Sequence, residues 1–242
     1  MDQRDNIYVE TRMGRMVSLL DPEPETICLQ DIAASLANIN RFNGHCHTQH
    51  NVADHSIAVA IAAKRFSYDA QGQLAALLHD AHEAYIGDLS SPMKAYLKVH
   101  CPGVIEALQE NFDRVIWEAL CPGVPIYDGT ALKQIDDMLL NDEAGRLMHP
   151  DGVGRSWKVQ PAGVTPLAFS MRSPEAAEAK FITVFNRLFA EATVEQAADN
   201  DACEELSGIM DEDDTVPGRP ELTGGHPDDE PDDEPGEYSE AE

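Results

Sequence analysis

An adjacent histidine and aspartate, His79-Asp80, close the apolar run Leu77-Leu78, and Glu83 follows. Burying an imidazole beside a carboxylate is costly unless something such as a metal ion compensates. Two more residues of the same kind sit on apolar faces. His55 comes three residues after Val52 and four before Val59, so it points inward with them. Asp136 comes four residues after Leu132 and three before Leu139, on their stripe, whereas Asp137 neighbours Lys133, Gln134 and Asn141 on a more polar side. Alone, His55 reads as a hydrogen-bonded core histidine and Asp136 as the partner of an arginine. Together, His55, His79, Asp80 and Asp136 read as the ligands of one divalent metal ion. Two nitrogens and two oxygens suit Mn²⁺, Co²⁺, Fe²⁺ or Zn²⁺, and suit Mg²⁺ less. Glu83, four residues after His79 and on the same helical face, is placed to orient or deprotonate an attacking water.

The elements that must position these residues are helical. Asp31 is a candidate N-cap for a helix carrying Ile32, Leu36 and Ile39, stopped near Arg41-Phe42-Asn43-Gly44. The loop His45-Cys46-His47-Thr48-Gln49-His50 leads into a helix over 51–66, which holds His55. A helix over 71–85 carries His79, Asp80 and Glu83 and ends at Gly87-Asp88. Ser90-Ser91-Pro92 starts a short helix to His100. Further helices are expected over 103–120, over 129–147 with Asp128 as cap, and over 174–196; residues 150–172, rich in Gly and Pro, read as an extended loop, with or without a hairpin. The fold class is therefore all-α, a helical domain over residues 1–198.

Beyond that point the composition changes. Residues 199–242 hold 18 of the 44 acidic residues and a single base, Arg219. Such a segment buries too little apolar surface to offset its chain entropy, and it is expected to be a disordered acidic tail. The formal charge of −27 disfavours non-specific nucleic-acid binding. Five scattered cysteines suit a reduced compartment. No run is apolar enough for a signal peptide or a membrane span. A soluble cytoplasmic protein is expected, with no membrane partner.

The H…HD…D order of His55, His79-Asp80 and Asp136 resembles that of the HD-domain phosphohydrolases. The resemblance extends to Asn51-Val-Ala-Asp-His55-Ser and to His79-Asp-Ala-His-Glu83-Ala-Tyr-Ile-Gly-Asp88-Leu-Ser-Ser-Pro-Met-Lys94. These segments are similar to those of bacterial HD-class 5′-deoxynucleotidases and of phage-encoded relatives, some of which hydrolyse deoxynucleoside triphosphates. A phage-encoded protein would work in its host's cytoplasm. The similarity covers residues 10–147 and implies an HD-type helical bundle. It also implies roles. Asp88 would help position the water or the leaving oxygen, Arg41 would clamp phosphate, Phe42 would pack on sugar or base, and Lys94 would add a second phosphate charge. The alternatives are that Arg41 caps its own helix and that Lys94 is an ordinary surface lysine.

The implied activity is metal-dependent hydrolysis of a deoxynucleotide. The favoured reaction converts a deoxynucleoside triphosphate, with dATP the substrate guessed at, to deoxynucleoside and triphosphate; the alternative is a 5′-deoxynucleotidase releasing phosphate from monophosphates. Arg12, Arg15, Lys98, Arg155 and Lys158 are the cations available for a longer phosphate chain. His45, His47 and His50 read as solvated or substrate-contacting, or as a second metal site, and His82 is expected at the mouth. Members of the family tend to oligomerise, so at least a dimer is expected. A reading of another class is a non-catalytic interaction protein acting through the acidic tail.

Overall fold

In a computed structural model, the chain is described at residues 7–149 and 168–211. A short antiparallel hairpin, β1 (Tyr8–Glu10) and β2 (Met16–Ser18), precedes α1 (Leu29–Asn38), α2 (Val52–Arg65), α3 (Ala70–Leu78) and α4 (Glu83–Ile86). Then come α5 (Ser91–His100), α6 (Val104–Leu120), α7 (Leu132–Leu147) and α8 (Pro174–Asp211). Among the described residues the fold is all-α apart from the hairpin. No helix among the described residues is long and apolar enough to cross a membrane. The expected loop over 150–172 lies partly outside the described residues, as do Arg155 and Lys158.

α2 is the axis of the domain. It is rich in alanine, and Val52 through Ala60 are buried on every side, which a helix tolerates only at the centre of a core, while Ile61, Lys64 and Arg65 are exposed. Its small side chains let α1, α3 and α7 approach closely. Around it pack Ile32, Leu36, Leu74, Leu77, Phe112, Ile116, Leu139, Phe181 and Leu188. Asn51 caps α2, its side chain accepting from the Asp54 amide at 2.8 Å. Asp69 caps α3 by accepting from the Gly72 amide at 2.7 Å.

Gly72 is required for packing. A Cβ there would lie 2.8 Å from Tyr68 Cδ1, 3.1 Å from the capping Asp69 Oδ1 and 3.2 Å from Tyr127 Cζ. Gly72→Ala gains about 1 kcal/mol of helix propensity, but overpacking of this kind costs about 1–3 kcal/mol. The variant is expected to be less stable in urea denaturation; a variant more stable than the parent would show that the tyrosines yield freely.

Three expectations are corrected, and one element is added to them. Asp31 is not the cap of α1 but lies in its first turn, buried, accepting from Thr11 Oγ1 and the Met13 amide, both at 2.8 Å. It holds the hairpin loop on the helix. The helix expected over 71–85 stops at Leu78, and the chain tightens through three-residue bonds from Ala81 N to Leu78 O, Glu83 N to Asp80 O and Ala84 N to Ala81 O before α4. In this tighter winding, residues three apart eclipse, which sets Glu83 beside Asp80. The hairpin β1–β2 is the added element, each strand being too short to show alternation. Finally, α8 runs through residues 199–211, past the expected start of the tail, carried by helix formers such as Ala197, Ala198, Ala202, Glu204 and Glu205. The compact unit ends at Asp201, and residues 212–242 lie outside the described residues.

Candidate metal centre

The four ligands predicted from the sequence converge. α2 supplies His55, the turn after α3 supplies His79 and Asp80, and α7 supplies Asp136. His55 Nε2 lies 3.0 Å from Asp136 Oδ1 and 3.7 Å from Asp80 Oδ2. His79 Nε2 lies 3.0 Å from Asp80 Oδ2 and 3.9 Å from Asp136 Oδ1. Ligand atoms of His55, His79 and Asp80 fall within 4.8 Å of one another, as do those of Asp80, His82 and Glu83. Both Nε2 atoms are buried and make no aligned hydrogen bond, although carboxylate oxygens stand close by. Orphaned ring nitrogens facing carboxylates across one small space are what a cation between them would satisfy.

The opposite ring nitrogens are held in place. His79 Nδ1 donates to Ala76 O at 2.9 Å, and His55 Nδ1 to Glu143 Oε1 at 2.8 Å. Each bond fixes the tautomer that turns Nε2 toward the cluster, the arrangement common behind metal-bound histidines. These residues therefore can hold a metal ion, by donor type, convergence and tautomer.

Glu143 is the residue that sequence reasoning missed. It is fully buried on α7. Oε1 takes the His55 bond and lies 3.0 Å from His50 Nε2, while Oε2 accepts from Arg41 Nε at 3.0 Å. The signal was present, because Glu143 lies two turns after Asp136 on the stripe of Leu139, Ala144 and Leu147.

Arg41 thus lies inside, paired with Glu143 and with its Nη1 3.7 Å from Asp80 Oδ2. It does not cap α1, which ends at Asn38. Phe42 and Asn43 adopt left-handed backbone angles, with φ of 57° and 52°, which turn the chain sharply after Arg41. The Arg41 guanidinium remains 5.6 Å from the centre of the Phe42 ring. An antiparallel bridge between Asn40 and Asn51 closes the base of this loop, and the His47 amide donates to Leu147 O at 2.9 Å. His45 and His47 are exposed. His50 is buried against Glu143, its ring 5.1 Å from that of Phe169. Among the described residues this loop forms no further metal-ligating group.

His82 does not line a mouth. Its ring is buried, with Nδ1 2.7 Å from Asp113 Oδ1 and Nε2 2.9 Å from Gln109 Nε2, so it braces the turn against α6.

Glu83 is buried, its Oε1 3.8 Å from Lys94 Nζ and its Oε2 without a hydrogen-bond partner. Burial, then the charges of Asp80 and Asp88, push its carboxyl up to about 10. Burial also raises Asp88. Asp136 and Asp80 are held well below the usual carboxylate range: burial opposes ionisation, but His55 outweighs it at Asp136 and His79 at Asp80. Burial and Arg41 disfavour a charged His55, yet Glu143 and Asp136 prevail and raise it to about 9. The cluster as a whole favours positive charge at its centre.

A cavity of about 500 Å³ opens on His79, Asp80 and Asp136. Leu78, Ile116, Trp117, Tyr127 and Leu132 give it apolar walls, and Lys94, Arg114 and Lys133 its cations. Arg41 and Phe42 are not on its wall, and neither are Arg12, Arg15 and Lys98. Arg12 pairs instead with Glu178 at 2.8 Å.

No family model matches the chain. Over 146 residues, 60% of this chain and 75% of the relative, it is 31% identical to the uncharacterized protein YfdR of Escherichia coli (strain K12). Over 86 residues it is 42% identical to an uncharacterized protein of Rhodobacter capsulatus, a match covering 34% of this chain and 44% of that one.

Proposed function

We propose that this chain, which belongs to the same family as YfdR of Escherichia coli, is a metal-dependent phosphohydrolase of the HD type acting on deoxynucleotides. The observation that carries the reading is the pair of orphaned Nε2 atoms of His55 and His79 facing Asp80 and Asp136. A divalent ion held by these four residues would supply Lewis acidity to a phosphoryl oxygen and to the attacking water.

The chain's own residues do the rest. Burial with Asp80 and Asp88 keeps Glu83 protonated; added positive charge at the cluster favours its carboxylate, the form that accepts a proton from water. Asp88, half-buried in the turn after α4, helps orient that water or the leaving oxygen. Lys94, on the cavity wall beside Glu83, neutralises phosphate charge, and Arg41 does so from the buried side near Asp80. The apolar walls around Trp117 and Tyr127 suit a base, and the cavity volume falls in the range of small-molecule sites. Attack at the α-phosphorus breaks its bond to the 5′-oxygen, which leaves with a proton as the deoxynucleoside hydroxyl, and triphosphate is released.

Purified protein supplied with Mn²⁺ or Co²⁺ should convert deoxynucleoside triphosphates to deoxynucleoside and inorganic triphosphate. Orthophosphate from monophosphates alone would move the reading to a 5′-deoxynucleotidase. No turnover of any triphosphate or monophosphate would overturn the proposal.

A further inference from the structure

Two cations on the cavity wall have no part in the function as described so far. Arg114 is already paired, with Glu118 Oε2 at 3.3 Å and Asn111 Oδ1 at 3.0 Å, and Glu110 and Asp113 flank it on α6. Lys133 differs. Its Nζ lies 2.9 Å from Asp136 Oδ2 and 2.5 Å from Asp137 Oδ1, and its side chain is 66% exposed. The other oxygen of Asp136, Oδ1, faces His55 and His79. The ammonium therefore sits at the rim of the ligand cluster, one carboxylate away from its centre.

We propose that Lys133 binds a phosphate beyond the reacting one, and so selects a nucleoside polyphosphate over a monophosphate. This rests on the metal-dependent deoxynucleotide hydrolysis argued above. Two carboxylates balance Lys133 in the structure. With a divalent ion held at Asp136, that carboxylate would have less charge to offer the ammonium, and Lys133 would be left under-compensated. A phosphate group restores the balance. A lysine is suited to the exchange, because its charge rides on a flexible four-carbon stem with three donors and can leave Asp136 without moving α7. Lys94 and Lys133, from α5 and α7, then give the cavity two mobile cations, one beside Glu83 and one beside Asp136. One of them is enough for a single phosphate, whereas a triphosphate chain carries charge for both.

The test compares Lys133→Met and Lys133→Arg with the parent protein in Mn²⁺, using deoxynucleoside triphosphates and monophosphates. Lys133→Met should raise KM for triphosphates by about tenfold or more, the worth of one charged hydrogen bond, while KM for monophosphates stays within about twofold. Lys133→Arg should recover most of the loss. Inorganic triphosphate, titrated calorimetrically into the Mn²⁺-loaded protein, should bind Lys133→Met about tenfold more weakly with the bound Mn²⁺ unchanged. An equal effect on both substrates, or an unchanged affinity for inorganic triphosphate, overturns the assignment. Should the parent protein hydrolyse neither nucleotide, the functional reading fails, and the calorimetric comparison alone decides the role of Lys133.

Discussion

Asp80→Ala is expected to abolish the proposed turnover of deoxynucleotides, by at least about 10³-fold. Lewis-acid stabilisation is worth several kcal/mol, and each 1.4 kcal/mol is about tenfold in rate. Asp80 is central to the cluster, with His79 Nε2 at 3.0 Å, His55 Nε2 at 3.7 Å and Arg41 Nη1 at 3.7 Å. Its loss removes one anionic ligand and leaves two imidazoles and a guanidinium facing each other with less to compensate them. Bound Mn²⁺, measured by metal analysis after dialysis, should fall together with activity. Retained turnover at the parental rate would refute the site. Retained metal with lost turnover would place Asp80 in the reaction but not among the ligands.

Glu143→Ala should produce the largest loss of stability, about 3–5 kcal/mol, because it strands Arg41 in the interior without its counter-charge. Against a typical total of about 5–15 kcal/mol, that is enough to threaten folding, so Glu143→Gln is the companion variant. Glutamine keeps the shape but can offer only one neutral acceptor oxygen to His55 and Arg41, and it should weaken metal binding by about 10–100-fold. Urea denaturation and metal competition check the two claims, and an alanine variant within about 1 kcal/mol of the parent would contradict the first. The pH dependence follows from the same contacts. Burial opposes ionisation of Glu143, but Arg41 and His55 hold it well below the usual carboxylate range. Its contribution is present above the unfolded-state value of about 4.3 and is lost as pH falls through the lower folded value. Acid unfolding of Glu143→Gln should therefore be less steep below pH 4.3.

What the sequence made legible was the set of groups that violate the apolar pattern. His55 and Asp136 stood out because each occupies an inward helical position, and both lie at the cluster. Glu143 breaks the same pattern, but it faces the back of His55, and its purpose depends on Arg41 and His50 from a distant loop, which spacing along one helix does not reveal. The break after Leu78 had no local marker. Ala76-Leu77-Leu78-His79-Asp80-Ala81 contains neither glycine nor proline, so only packing reports where the helix ends. The same break misplaced His82, which the tighter winding turns toward Asp113 and Gln109. Lys133 was passed over as a mere neighbour of Asp137 on the polar side of its helix.

The loop between Asn40 and Asn51 carries a consequence for how such a protein can diversify. Its two ends are anchored: the Asn40–Asn51 bridge ties the backbone, and Arg41 and His50 both dock on Glu143. Between them, Asn43, Gly44, His45, His47, Thr48 and Gln49 are exposed. Lengthening a closed loop costs little, about 0.6 kcal/mol for each doubling. Insertions, deletions and new side chains can therefore accumulate in the span while the anchors keep Arg41 beside Asp80. The loop is a segment whose variation is uncoupled from the integrity of the centre, a cassette whose contents can change while its clasp stays shut.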